Sequence, residues 1–252
     1  MKGGSMSASD PRKAPPNFSV HGLHVVITGG AGGIGSAFAR AFVAHGATAT
    51  VTDLRDPPPE LAELGIGFER LDVRDDAAVE ALARRIPQCD VLIHCAGRLI
   101  RHEEHKVEVF KDILDIHLVG ALRLANAFRS HLRRRPGCII HIGSVYSYFG
   151  SPMIPAYGAA KTGIVSLTKS LALAYAGDGI RVNAIAPGWI NTEISRRGRE
   201  DPEFNARVMA RLPIGRWAEP EELAGTALFL ASPAAALING VTIPVDGGYG
   251  AN

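Results

Sequence analysis

A doubly wound α/β fold, with a mostly parallel sheet of about seven strands and helices on both faces, is the class this sequence predicts. Three features of the pattern carry that reading. The strand-like runs are short and apolar throughout instead of alternating, which marks strands buried on both faces. Helix-length amphipathic stretches separate them, as parallel neighbours require a long crossover. The first run ends in a cluster of glycines that leads straight into a helical stretch.

The elements follow in order. LHVVITGG (23–30) is a β-branched first strand, and GIGSAFARAFVAHG (33–46) sets Ile34, Phe38, Phe42 and Val43 on one helical face. ATATVTD (47–53) is the second strand, and GFERLDV (67–73) a weaker third followed by an amphipathic helix over 75–86. CDVLIHCAG (89–97) is a strand that stops at Gly97, and residues 106–135 form one long helical pattern. Strand GCIIHIGS (137–144), a helix over 156–177 and strand GIRVNAIAPG (179–188) come next. Helices within 200–231 and a last strand, GVTIPVDGG (240–248), complete the chain. Short connections and the absence of a repeat point to a single domain over 18–252.

Composition narrows the function classes. The 252 residues include 27 Lys plus Arg against 25 Asp plus Glu, and the arginine clusters at 133–135 and 196–199 are too short for a basic stripe. Nucleic acid is therefore not an expected partner. No segment reaches the roughly 20 apolar residues that span a bilayer, so a membrane is not expected either. Cys89, Cys95 and Cys138 show neither disulfide nor metal-ligand spacing; they read as small apolar residues of a reducing compartment, hence a cytoplasmic protein without a metal. Residues 1–17 are polar and rich in Pro, Gly and Ser, with no apolar core of a signal peptide. They read as a disordered N-terminal segment, with MKGGS an addition ahead of a native start at Met6.

In doubly wound sheets the ligand lies beyond the carboxyl ends of the strands, so those ends carry the chemistry. The first strand ends in Gly29, Gly30, Ala31, Gly32, Gly33, Ile34 and Gly35. Glycines let the backbone approach a pyrophosphate, and the helix that follows offers unpaired N–H groups and positive potential. Asp53 closes the second strand, where a carboxylate accepts both ribose hydroxyls of an adenosine and repels a 2′-phosphate. Neither Gly32 nor Leu54 brings a base to that place, although Arg55 follows. The cofactor expected is NAD in preference to NADP.

Ser144 ends the strand CIIHIGS, and Tyr157 and Lys161 follow in AYGAAK. Positions i and i+4 share a helix face, which brings Lys161 within ~6 Å of Tyr157. A neighbouring ammonium favours phenolate and moves the tyrosine toward the working range of a general base. Ser144 is then placed to hydrogen-bond a substrate oxygen.

With these motifs the sequence resembles the short-chain dehydrogenase/reductase family from Leu23 to Tyr249. The match includes TGGAGGIG (28–35), Ser144, Tyr157 and Lys161, LDV (71–73), CAG (95–97), RVNAIAPG (181–188), Thr192 and VDGG (245–248). The resemblance implies a Rossmann-type domain and an oxidoreductase moving a hydride between NAD(H) and a secondary alcohol or ketone. It implies that Asp72 and Val73 hold the adenine, that Cys95, Ala96 and Gly97 pass under the cofactor, and that Pro187, Gly188, Ile190 and Thr192 hold the nicotinamide half. It also implies a homotetramer or homodimer. Two departures stand out. His94 and Cys95 occupy the place of two asparagines, and His94 reads as a structural substitute. His117 falls where the family carries a fourth catalytic residue, an asparagine bound to a relay water. A neutral imidazole has one donor and one acceptor and could hold that water.

The substrate is left open among polyol, sugar, hydroxy acid and cyclic alcohol. The segment 189–216 is the expected lid, with Arg98, Tyr146, Tyr148 and Phe149 at the pocket. Arg98 and Arg101 could meet an anionic substrate, and His102 and His105 lie near the same mouth. Two other readings stay open: an NADP-dependent 3-oxoacyl-type ketoreductase, and an NAD-binding module with chemistry impaired by His117.

Overall fold

The computed structural model describes residues 15–251, so nearly all of the 1–17 segment lies outside the described residues. Its last residue is tied down, with Ala234 N donating to Asn17 O at 2.7 Å.

The seven strands are β1 (His24–Thr28), β2 (Thr48–Asp53), β3 (Gly67–Arg70), β4 (Val91–His94), β5 (Cys138–Ile142), β6 (Arg181–Pro187) and β7 (Thr242–Val245). They form one parallel sheet in the order β3-β2-β1-β4-β5-β6-β7. The order reverses between β1 and β4, so the crevice that binds ligands in such sheets opens above these two strands. Pro244 cannot donate to a ladder, and β7 accordingly sits at the sheet edge.

The α-helices are α1 (Gly33–Ala44), α2 (Pro59–Glu63), α3 (Asp76–Arg85), α4 (Val107–Leu114), α5 (Gly120–Leu132), α6 (Pro155–Tyr175), α7 (Arg196–Glu200), α8 (Pro202–Met209) and α9 (Ala224–Ala231). Period-2 alternation along β1 divides the core in two. Val25 and Ile27 pack with Phe38 and Phe42 of α1 and Leu230 of α9, while Val26 packs with Leu124 and Phe128 of α5 on the other face. Phe38, Phe42 and Phe128 are fully buried, and truncating one to alanine costs about 3–5 kcal/mol in cores of this kind.

Two features departed from the sequence expectation. The short helix α2 has no periodic signature, because five residues cover little more than one turn. The long pattern over 106–135 is broken by a π-helical stretch, Asp115–Val119, between α4 and α5. There Gly120 N bonds back to Asp115 O, which releases Ile116 O from the helical ladder.

Candidate active site

Above β1 and β4 a cleft of about 410 Å³ is lined by the glycine turn, Asp53, Leu54, Asp72, Val73, Cys95, Ala96, Gly97 and Thr192. Gly29 has φ +71°, and a Cβ there would lie 2.7 Å from Ala96 N, so only glycine lets the first turn pass this close to the loop after β4. Gly32 is the N-cap of α1, and neither a side-chain cap nor an acidic residue fills its first turn. The leading N–H groups of that helix therefore remain available to an anion. Asp53 is held in place by two backbone donors, Ala31 N to Oδ2 at 3.1 Å and Arg55 N to Oδ1 at 3.0 Å. Arg55 reaches back over the same end, its Nε 3.5 Å from Asp53 Oδ1. The donor set, the carboxylate at the strand end and the cleft volume fit a dinucleotide.

Arg74 binds Asp72 and Asp112, and its guanidinium keeps the Asp72 carboxyl below the usual carboxylate range. Asp112 also pairs with Arg98. Arg98 is thus committed to an ion pair, while Arg101 has no carboxylate partner among the described residues and stacks over Phe204 at 5.3 Å.

Below the cleft two buried histidines brace the loop Cys95–Arg98. His94 bridges Thr28 Oγ1 at 2.8 Å and Ile116 O at 3.1 Å, the carbonyl that the π-helical stretch releases. Burial lowers its pKa to about 3, so the ring stays neutral and serves as a tie between strand and helix. His117 Nε2 lies 2.8 Å from Arg98 O and 3.2 Å from Arg98 N, donating to the first in one tautomer and accepting from the second in the other. Its Nδ1 is buried without a partner. Burial, then the ammonium of Lys161, pushes the His117 pKa well below its ordinary value. Gly97 rests on this ring: a Cβ there would fall 2.2 Å from His117 Cε1.

Beyond the carboxyl end of β5 stand Ser144, Tyr157 and Lys161. Ser144 Oγ accepts from Tyr146 N at 3.1 Å and faces the Tyr157 hydroxyl, whose pKa it lowers. Lys161, buried, lies with Nζ 5.4 Å from the centre of the Tyr157 ring and donates to Ile142 O at 2.7 Å. The His117 ring meets Tyr157 edge-on at 5.2 Å. Burial lowers Lys161 to about 8 and pushes Tyr157 up to about 12. Desolvation dominates the phenol, and Ser144, not the lysine expected to do so, is the group that opposes it.

The expected substrate side is built from distant segments. A second cleft of about 540 Å³ is lined by Leu99, Ile100, Arg101, Glu103, Glu193, Ile194, Arg196 and Arg197. Trp189 is buried at the centre of an aromatic cluster, 5.8 Å from Tyr146, 5.4 Å from Phe204, 5.2 Å from Trp217 and 5.6 Å from Tyr249. That cluster anchors the expected lid segment.

The structure therefore brings together most residues singled out from the sequence. Pro187 and Ile190 are buried behind the first cleft and do not line it, and Gly188 bonds to Val245 O at 3.0 Å. His105 turns away from the mouth to bond Pro152 O at 2.8 Å, and His102 is exposed with φ +68°. Sequence reading gave no role to Thr28, named only within TGGAGGIG, nor to Arg74 and Glu104. Only Thr28 carried a signal, a polar residue closing an apolar strand. Among the described residues no three His, Cys, Asp or Glu side chains group as a metal site, and no helix is long and apolar enough to cross a membrane.

Comparison with known proteins places relatives beside this geometry. The profile of the family described as Enoyl-(Acyl carrier protein) reductase matches residues 29–250. The chain is 35% identical over 246 residues to a 2-dehydro-3-deoxy-D-gluconate 5-dehydrogenase of Bacillus subtilis, covering 92% of this chain and 96% of that protein. It is 34% identical over 247 residues to a D-threitol dehydrogenase of Mycolicibacterium smegmatis, covering 92% and 95%. A solved gluconate 5-dehydrogenase from Burkholderia cenocepacia, in complex with NADP and tartrate, is 32% identical. The match has a TM-score of 0.87 and covers 93% of this chain and 98% of that one.

Proposed function

The chain belongs to the short-chain dehydrogenase/reductase family of oxidoreductases, and from that premise we propose that it interconverts a secondary alcohol and a ketone on a polyhydroxy acid, with NAD as cofactor. The observation that carries the reading is the convergence of Ser144, Tyr157 and Lys161 beside the dinucleotide-shaped cleft. Gly29, Gly32, Gly33 and Ile34 would hold the pyrophosphate, Asp53 and Leu54 the adenosine ribose, and Asp72 and Val73 the adenine. Cys95, Ala96 and Gly97 would pass under the cofactor, Gly188 and Thr192 would hold the nicotinamide half, and Pro187 and Ile190, buried behind it, would back that wall.

A bound nicotinamide dinucleotide supplies the hydride acceptor or donor, and in its oxidised form a positive charge. Tyr157 takes the hydroxyl proton in oxidation and returns it in reduction. Lys161 keeps a positive charge near the phenol, and Ser144 orients the substrate oxygen. His117 holds the loop through Nε2, which leaves the unpartnered Nδ1 to hold a relay water. Arg101, with no carboxylate of its own, supports an anionic substrate, as do the sugar-acid names of two of the relatives.

The test is a panel of sugar acids, polyols, sugars and cyclic alcohols assayed with NAD and with NADP by nicotinamide absorbance. Turnover confined to apolar alcohols would overturn the polyhydroxy-acid assignment. Asp53 supports NAD, and NADH is expected to bind about tenfold tighter than NADPH, about 1.4 kcal/mol. Arg55 and the NADP held by the Burkholderia relative favour a second reading, in which the adenosine end also admits a 2′-phosphate. Equal affinities in a fluorescence titration would select it. The reading also carries a cytoplasmic setting, in keeping with three free thiols, and a homotetramer or homodimer, which light scattering would measure.

A further inference from the structure

Glu104 is fully buried, yet no step of the proposed chemistry uses it. Both of its oxygens are engaged by backbone donors: Oε1 accepts from Ile100 N at 3.0 Å and Oε2 from Tyr157 N at 2.8 Å. The second contact falls on the first turn of α6. That helix begins at Pro155 behind Ile154, whose side chain cannot cap it. An N-terminus normally draws its capping acceptor from the residue just before it. Here a carboxylate 53 positions away takes the N–H of Tyr157.

Glu104 does not act alone. His102 N donates to Met153 O at 2.9 Å, and the His105 ring bonds Pro152 O at 2.8 Å. Three successive ties thus fasten the loop after β4 to the segment that launches α6. The same loop supplies Leu99, Ile100 and Arg101 to the second cleft.

We propose that Glu104 is a positioning residue for Tyr157: its carboxylate caps the helix that carries the tyrosine, fixes the substrate loop to that helix, and places a negative charge near the phenol. This rests on the reading of Tyr157 as the proton-transfer group. Lys161 from its own helix, Ser144 from the turn after β5, the His117 ring, Tyr146 and Glu104 are the groups that face Tyr157. Among the charges, Lys161 favours the phenolate and Glu104 opposes it. The residue trades some basicity of the tyrosine for a fixed position.

Two variants separate cap from charge. Glu104→Gln removes the charge and keeps one acceptor, so the Tyr157 amide stays protected and the phenol becomes easier to ionise. Glu104→Asp keeps the charge and loses the reach, so both amides are released. Amide hydrogen exchange at Ile100 and Tyr157 reads the cap. Carbon-13 NMR of ring-labelled tyrosine with saturating NAD reads the ionisation, with the Tyr157 signal identified by its loss in Tyr157→Phe. The expected results are a Tyr157 titration lowered by roughly 0.5 to 1 unit in Glu104→Gln, and exchange at both amides at least about tenfold faster in Glu104→Asp. An unchanged titration in Glu104→Gln, or unchanged exchange in Glu104→Asp, overturns the proposal. Neither readout needs turnover, so these shifts in a protein that oxidises no alcohol would leave the role of Glu104 standing and remove the proposed function.

Discussion

The two walls of the site are made by different means. The dinucleotide wall is backbone: a turn of seven consecutive residues, Gly29 to Gly35, meets the end of β4 and offers N–H groups with almost no side chain in the way. The expected substrate wall is mostly side chain: Glu104 and His105 reach to residues 152–157, and Trp189 gathers aromatics from four separate segments. A wall of the first kind is specified by a short stretch of sequence and recognises a group common to many ligands. A wall of the second kind exists only after folding, and a few changes in it can alter which substrate fits.

That contrast can be tested hardest at the seam, where Tyr157 serves both walls. Tyr157→Phe should lower turnover by about 10²- to 10⁴-fold while NADH binding by fluorescence stays near that of the parent. Parallel loss of binding would show that the tyrosine is structural to the dinucleotide wall.

Acid should attack the dinucleotide wall first, because His94 and His117 brace it and His141 lies beneath. All three are held neutral by burial, His94 down to about 3 and His141 to about 4. The unfolded chain takes up these protons below its ordinary value near ~6.5 while the folded chain does not. Stability is therefore complete above that value and falls as pH drops toward 4, by about 1.4 kcal/mol per pH unit for each histidine. Thermal melts between neutral and acid pH measure it, and His141→Asn should flatten the slope.

A smaller effect is expected where Gly97 rests on His117. Gly97→Ala should cost about 1–3 kcal/mol through overpacking and weaken NADH binding. The double variant with His117→Ala should recover part of that loss; strict additivity of the two changes would mean that the contact carries no coupling. The mildest change belongs to the substrate wall. Arg101→Ala should raise KM for a sugar acid about tenfold and leave a neutral polyol unaffected, the equivalent of about 1.4 kcal/mol.

The strands and the dinucleotide wall were legible because each is written in contiguous residues: a β-branched run, a glycine turn, a carboxylate at a strand end. Ser144, Tyr157 and Lys161 were legible because a strand end and one helical turn fix two of their three relations. Glu104 was not, since EEH on a polar loop looks like solvent-exposed charge and its partner amide lies 53 positions on. The commitment of Arg98 to Asp112 was equally hidden, as both belong to segments whose separation only the fold decides. The π-helical stretch escaped because an apolar stripe survives a single wide turn, and periodicity reports the stripe.

That wide turn has a consequence for how this chain tolerates changes of length. A π turn accommodates one residue more than an α-helical turn, so deleting a residue from 115–119 would restore an unbroken α-helix. Every position downstream would then rotate by about 100° against the sheet. Leu124, Phe128 and Leu132, all fully buried, would be carried out of the core, and Ile116 O would return to the ladder and abandon His94. Substitutions there need only preserve shape, but the count of residues is fixed, much as a reading frame is. Length changes should be tolerated instead in the exposed turn between α5 and β5, where no element depends on phase.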